Sequence, residues 1–404
     1  MNKLNRYRRY GVVAGALFLL LVTAGTHSYV VTRQYAALAG QRVMAMQPRS
    51  SAVAGGEAMP PVRAPGGSIL LTQPPSALVD LTGMSRSLLS GRFIDEAAAA
   101  RRPFAVVIGN TSDALPQSGI SQADIIYEVV AEGAATRLIG IFQDFDTARI
   151  GSVRSARDYF VDIALGYDAF FVHFGGSPQF YQALRNHRVD NIDGIRLDGG
   201  VRTSNFEAVV FWRDEARWRV ARTREHSAFT GANNLLGRIE RAGYREYRRE
   251  DWSSPFTFFD ERRSPEGSTP AEHISVSFVS NVPSVFIFDP ESGRYRRYQN
   301  RVAHIDEESG YQLMADNVLV QLTNVRAIPG DGAGRRDVDI VGSGRGYLFT
   351  NGTMTPVTWS KPNVNAPTEW RFENGDKITL NMGTTWICVT NREPVVETAL
   401  AVNE

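Results

Sequence analysis

Arg154 and Arg157 stand three residues apart where an apolar periodic segment begins, in Gly151-Ser152-Val153-Arg154-Ser155-Ala156-Arg157-Asp158. With Ser155 as N-cap and Asp158 three residues on, the segment reads as a capping-box-like helix start. Both cations then lie at the positive end of the helix dipole, where each costs up to about 1 kcal/mol near the surface. An anion held by both guanidinium groups and the free backbone N–H groups reverses that cost. Pairing with Asp158 or Asp146 is the plainer alternative.

Three further groups could contribute. His173 ends the apolar run Phe170-Phe171-Val172, and the chain then turns through Gly175-Gly176 into a helix with Ser177 as cap and Pro178 at its first position. A histidine beside a glycine turn at the carboxyl end of a strand can contact an anion or move a proton; a histidine satisfied by a backbone carbonyl fits the same letters. Glu128 and Glu132 share a face if their segment is a strand, roughly 13 Å apart. Arg137 follows across the Gly133 turn as a partner, so a structural Glu–Arg pair competes with Glu128 as general base. Arg213, Arg217, Arg219, Arg222 and Arg224 lead to His226-Ser227, where a solvated face is the reading for all but Arg224 and His226. His304-Ile305-Asp306 puts two possible metal ligands on one strand face, but with no third nearby no metal site is assigned. No cofactor is implied, and no metal-protease, phosphate-loop or serine-hydrolase motif occurs.

The elements that must position these residues follow from pattern. Pro103 to Gly109, Asp124 to Ala131 and Thr136 to Phe145 read as strands. Ala156 to Leu165 reads as a helix stopped at Gly166, followed by a strand from Ala169 to Phe174 and a helix from Gln179 to Asn186. The expectation is an α/β domain over 81–263, with a mixed sheet and flanking helices, followed by a mostly-β domain over 264–404. There, Asn351-Gly352 between two apolar runs signals a tight hairpin. Gly342-Ser343-Gly344-Arg345-Gly346 precedes a strand rather than a helix, so it is not a dinucleotide loop.

The first 80 residues are of another kind. Lys3, Arg6, Arg8 and Arg9 precede an uncharged stretch from Gly11 to Val31, which reads as a signal anchor or signal peptide over 1–35. At about 21 residues it is long enough to span a bilayer, and its basic flank places the globular part outside the cytoplasm. Residues 36–80, rich in Pro, Gly and Ala, read as a flexible stalk. Cys388 is the only cysteine, so no internal disulfide exists. A net charge of +1 argues against a nucleic-acid binder. Of the 44 basic residues only Lys3, Lys361 and Lys377 are lysine, so a single arginine carries little weight unless its place is unusual.

From Leu81-Thr82-Gly83 to about Arg392 the chain resembles the YerB-like lipoprotein family of bacterial envelopes, a two-part domain family without an assigned function. Pro116 to Asp124, Glu132-Gly133, Thr136-Arg137, Gly151 to Arg157, His173 to Ser177 and Gly383-Thr384-Thr385-Trp386-Ile387 carry the resemblance. Gly109 stands where many members are expected to have aspartate, and the family's lipid-bearing cysteine is absent. The resemblance implies fold and location, not chemistry. The expected function is an extracytoplasmic envelope protein binding an anionic wall polymer or precursor through a glycan phosphate or carboxylate. The ligand contacts would come from Arg137, Arg154, Ser155, Arg157, His173, Gly175, Gly176 and Ser177. The alternatives are a hydrolase or transferase on the same ligand class, with His173 or Glu128 as base, and an envelope scaffold that binds protein.

Overall fold

The computed structural model describes residues 81–195, 210–221, 224–279 and 283–398. The anchor and stalk segments lie outside these residues. Among those described, no helix is long and apolar enough to cross a membrane.

Strands β1 (Phe104–Gly109), β2 (Ile125–Glu132) and β3 (Ala135–Phe142) form around the apolar runs that the pattern marks. Helix α1 (Asp158–Gly166), strand β4 (Phe170–His173), helix α2 (Pro178–Asn186), strand β5 (Asn191–Asp193) and helix α3 (Ala232–Ala242) follow in the first half, beside shorter elements. The second half is strand-rich, with β6 (His273–Val276), β7 (Ser284–Asp289), β8 (Arg294–Gln299), β9 (Asn317–Leu322), β10 (Gly342–Thr350), β11 (Thr353–Lys361) and β12 (Thr385–Thr390). Asn351 and Gly352 both adopt positive φ between β10 and β11, as a two-residue hairpin requires.

The two halves share one eleven-stranded sheet, ordered β11-β10-β9-β12-β2-β3-β1-β4-β5, with the short strands Thr269–Pro270 and Glu369–Phe372 both against β11. The expected boundary at 263/264 is not an edge of this sheet. Strand β12 enters between β9 and β2, parallel to both, with Cys388 beside Glu128. Pairing is otherwise mixed: β1–β4 is parallel, while β2–β3 and β1–β3 are antiparallel. A smaller six-stranded antiparallel sheet carries β6, β7 and β8.

Every residue of β1 is buried, because both faces of the large sheet are covered. Alternate residues enter different cores. Val107, Val129 and Ile139 pack with Phe160 and Ile163 of α1, while Ile108, Ile126 and Leu138 pack with Phe286, Tyr295 and Leu235.

This alternation decides the two acidic residues. Glu128 lies opposite Leu138 and Val129 opposite Arg137, so Glu128 and Arg137 face opposite sides of the sheet. The expected Glu–Arg pair with Arg137 forms at Glu132, not at Glu128. A bulge between Val130 and Glu132 then turns Glu132 onto the Arg137 side, so the two glutamates do not share a face either.

Candidate functional site

Beyond the end of β1 three arginines converge. Arg137 lies opposite Gly109 in the β1–β3 register. A Cβ at Gly109 would stand 3.0 Å from Arg154 Cγ and 3.2 Å from Ser152 Oγ, so those two side chains lean over the bare glycine. Arg137 donates to Glu132 Oε1 at 2.5 Å, and Arg157 donates to Glu132 Oε2. One carboxylate, itself partly exposed, therefore serves two buried guanidinium groups. Arg154 donates to the Glu225 carbonyl at 2.7 Å and reaches its exposed carboxylate at 3.2 Å.

The electrostatics record the crowding. Burial pulls the Arg137 guanidinium down to about 10, and Arg154 and Arg157 pull the same way against Glu132. Burial would raise the Glu132 carboxyl, yet Arg137 and Arg157 hold it below its ordinary value. Burial first, then the Arg154 charge, lower His226 and favour its neutral form. Five buried polar atoms in this group have no partner among the described residues: Nε of Arg137, Arg154 and Arg157, Ser152 Oγ and His226 Nδ1. Ser152 is 2% exposed and His226 6%, so both are withdrawn from bulk water as well. Unpaired donors at this depth cost stability unless a guest satisfies them.

The helix start differs from the expected one. Helix α1 begins at Asp158 with Arg157, not Ser155, in the cap position, and no side chain caps it. Residues 154–156 are instead held extended: Arg154 N donates to Val107 O (2.9 Å), Ala156 N to Gly175 O (2.9 Å) and Phe174 N to Arg154 O (3.0 Å). Strand-like pairing on both sides outweighs the local capping signal. Ser155 Oγ accepts from Arg157 Nη1 at 3.3 Å.

His173 takes the plain reading. It is fully buried, with Nδ1 2.9 Å from the Gly175 carbonyl and Nε2 3.4 Å from Asn191 Oδ1. Both ring nitrogens work inside the fold, so the expected proton-moving base is not presented to a ligand. Gly175 adopts φ +78, and its N–H donates to Asp193 Oδ1 at 3.0 Å. A Cβ at Gly176 would meet Phe180 at 2.0 Å, so this turn admits the protein's own ring rather than a guest. Ser177 caps α2 as expected, accepting from Phe180 N at 3.1 Å with Pro178 at the first position.

Glu128 is likewise engaged on every side. Its Oε1 accepts from Asn110 (3.0 Å), Thr136 (3.2 Å) and Ser284 (2.8 Å). Its Oε2 faces Arg297 (3.1 Å) and Trp386 Nε1 (3.3 Å). Five donors leave no lone pair placed for proton abstraction. Arg297 is fully buried between Phe286 and Trp386, its Cζ 5.1 Å from each ring centroid. Nothing in Arg294-Tyr295-Arg296-Arg297-Tyr298-Gln299 singles out Arg297 among the arginines. Only strand alternation, which puts Tyr295 and Arg297 on one face, offered a signal.

His304 Nε2 donates to Gln117 Oε1 at 2.5 Å, and Asp306 accepts from four backbone N–H groups, of Gly119, Ser121, Glu308 and Ser309. Both are turn-stabilising. Among the described residues no group of three His, Cys, Asp or Glu could hold a metal. Of the arginine-rich run, Arg217 donates to the Leu115 and Pro116 carbonyls and to Glu307. Arg224 supplies its carbonyl to Arg213 and Ser227, and Arg222 lies outside the described residues.

A cavity of about 500 Å³ lies between α1, α2 and residues 337–341, with Asp158, Asp162, Asp337 and Asp339 on its walls. Burial pushes the Asp162 carboxyl up to about 6, against the pull of Lys361 and His187. Its folded value stands above the ordinary 3.8, so its contribution to stability is fully present below that value and lost as pH rises through about 6. Asp162→Asn should therefore stabilise the fold by about 3 kcal/mol near pH 8 and by nothing near pH 3. Thermal melts of both proteins at the two pH values check this; an equal shift at both would refute it.

Comparison with known proteins adds relatives to this geometry. The N-terminal domain described as "Protein of unknown function (DUF3048)" matches residues 89–245, and the corresponding C-terminal domain matches residues 274–387. The chain is 30% identical over 315 residues to "Putative lipoprotein YerB" of Bacillus subtilis (strain 168), covering 78% of this chain and 89% of that protein. It also resembles the crystal structure of the YerB protein from Bacillus subtilis, with TM-score 0.65 and 28% identity, over 78% of this chain and 99% of that one.

Proposed function

Since this chain belongs to the two-part DUF3048 family, represented by YerB, we propose that it is an envelope protein that binds an anionic group at the arginine cluster. The contacts come from Arg154, Ser152 and His226, with Arg137 and Arg157 held behind them by Glu132. One observation carries the reading: Arg137 and Arg157 share one partly exposed carboxylate and Arg154 reaches only the exposed Glu225, while a buried hydroxyl and a buried imidazole nitrogen beside them lack partners. An oxyanion offers several acceptor lone pairs and negative charge at once. Its chemical class is a phosphate or carboxylate of a wall polymer or precursor. The relative's name describes a lipoprotein; here the uncharged stretch 11–31 would serve as anchor, holding the globular part outside the cytoplasm. A hydrolytic role with His173 or Glu128 as base gains no support, because both are engaged within the fold.

Calorimetric titration with inorganic phosphate and with purified phosphate-bearing wall polymer tests the proposal. Arg154→Ala should weaken binding by about 10- to 100-fold, the loss of one charge-assisted contact. The Arg154→Ala, Arg157→Ala double variant should abolish it. Equal affinity in wild type and double variant ends the proposal.

A further inference from the structure

On the opposite face of the sheet, a cavity of about 250 Å³ opens between the end of β1, the β2–β3 turn and the smaller sheet. We infer that this cavity is a binding site for a neutral, polyhydroxylated ligand the size of one sugar ring. It stands on observations separate from the arginine cluster.

Charge sets the ligand class. Glu128, at the cavity wall, is the one ionisable side chain among the lining residues, and Arg297 faces it at 3.1 Å. The pair cancels, so the cavity presents no net charge to a phosphate, a carboxylate or an amine. The remaining polar lining, which includes Thr111, Ser112, Thr136, Ser284 and the amides of Asn110, Gln299 and Asn300, consists of hydroxyls and amides that both donate and accept. Vicinal hydroxyls match that mixture; an ion does not. Thr111 Oγ1 is buried without a partner among the described residues, and Gln299 uses its Oε1 on Arg297. Phe278 supplies an apolar wall, which suits the C–H face of a pyranose.

The polar wall is fixed before any ligand arrives. Asn110 donates to Glu128 (3.0 Å) and to Thr136 (2.7 Å), and its Oδ1 accepts from Gln117 (3.1 Å), which is held in turn by His304. A relay of this kind holds hydrogen-bonding groups in place and lowers the cost of binding. The volume lies just below the roughly 300 Å³ at which pockets for drug-sized ligands begin, which favours one ring over an oligosaccharide.

The test uses the full chain with indole ¹⁵N labels. Trp386 Nε1 donates to Glu128 at 3.3 Å, so its N–H resonance reports on the cavity wall, and Trp386→Phe assigns it. Titration with D-glucose and with N-acetyl-D-glucosamine should move that resonance saturably for at least one sugar, while inorganic phosphate should not move it. Ser112→Phe, at the exposed rim, should abolish the response with the other indole resonances unchanged, and Thr111→Val should weaken it about tenfold. Arg154→Ala should leave it intact. Absence of a saturable shift with either sugar, or its survival in Ser112→Phe, overturns the inference. So does its loss in Arg154→Ala, which would place the sugar elsewhere.

Discussion

Glu128→Ala should lower stability by about 3–5 kcal/mol, the cost of stranding a buried partner charge. Arg297 would remain between Phe286 and Trp386 with its Glu128 contact removed, while Asn110, Thr136, Ser284 and Trp386 each lose an acceptor. Glu128→Gln keeps part of that acceptor set and should cost less. Pairing Glu128→Gln with Arg297→Met removes both charges and should recover much of the loss, because a well-packed apolar replacement avoids desolvating ions. Denaturant melts of the three variants measure this. Were Glu128→Ala as stable as wild type, the carboxylate would not be the hub described, and its place in a reaction would reopen.

Gly383→Ala should be comparably damaging, on the order of 3 kcal/mol or more. Gly383 adopts φ +135, and a Cβ there would stand 1.9 Å from Asp316 Oδ2. Asp316 is fully buried and cannot retreat: it faces Arg262, Arg294 (3.3 Å) and Arg92 (3.9 Å), and accepts from Thr384 N at 2.8 Å. Burial would raise its carboxyl, but Arg294, Arg262 and Arg92 together hold it below the ordinary value of 3.8. Its folded value is depressed, so its stabilisation is in place above 3.8 and lost as pH falls through the lower folded value. The penalty of Asp316→Asn should accordingly shrink in acid. A Gly383→Ala protein that melts with wild type would show that the loop has room this geometry denies.

The resemblance letters acquire physical reasons here. In Gly383-Thr384-Thr385-Trp386, the glycine admits the Asp316 carboxylate, Thr384 N–H binds it, and Trp386 closes the Glu128–Arg297 group. In Gly151 to Arg157, Ser152 and Arg154 lean over Gly109, while Arg157 reaches Glu132.

The strands β1 to β4, the α2 cap at Ser177 and the Asn351-Gly352 hairpin were readable in the sequence, because each rests on side-chain periodicity or on backbone preferences of neighbouring residues. The gathering of arginines near the start of α1 was readable for the same reason. Pairing was not. Which face Glu132 takes depends on a bulge of one residue, and Ser155 fails as a cap because distant residues 107 and 175 claim the backbone around it. Glu128 meets an arginine 169 positions away because β12 slots beside β2 and the smaller sheet folds over that face. Local letters fix local conformation; long-range partners are chosen by register and by burial of both sheet faces, which exist only once the chain has closed on itself.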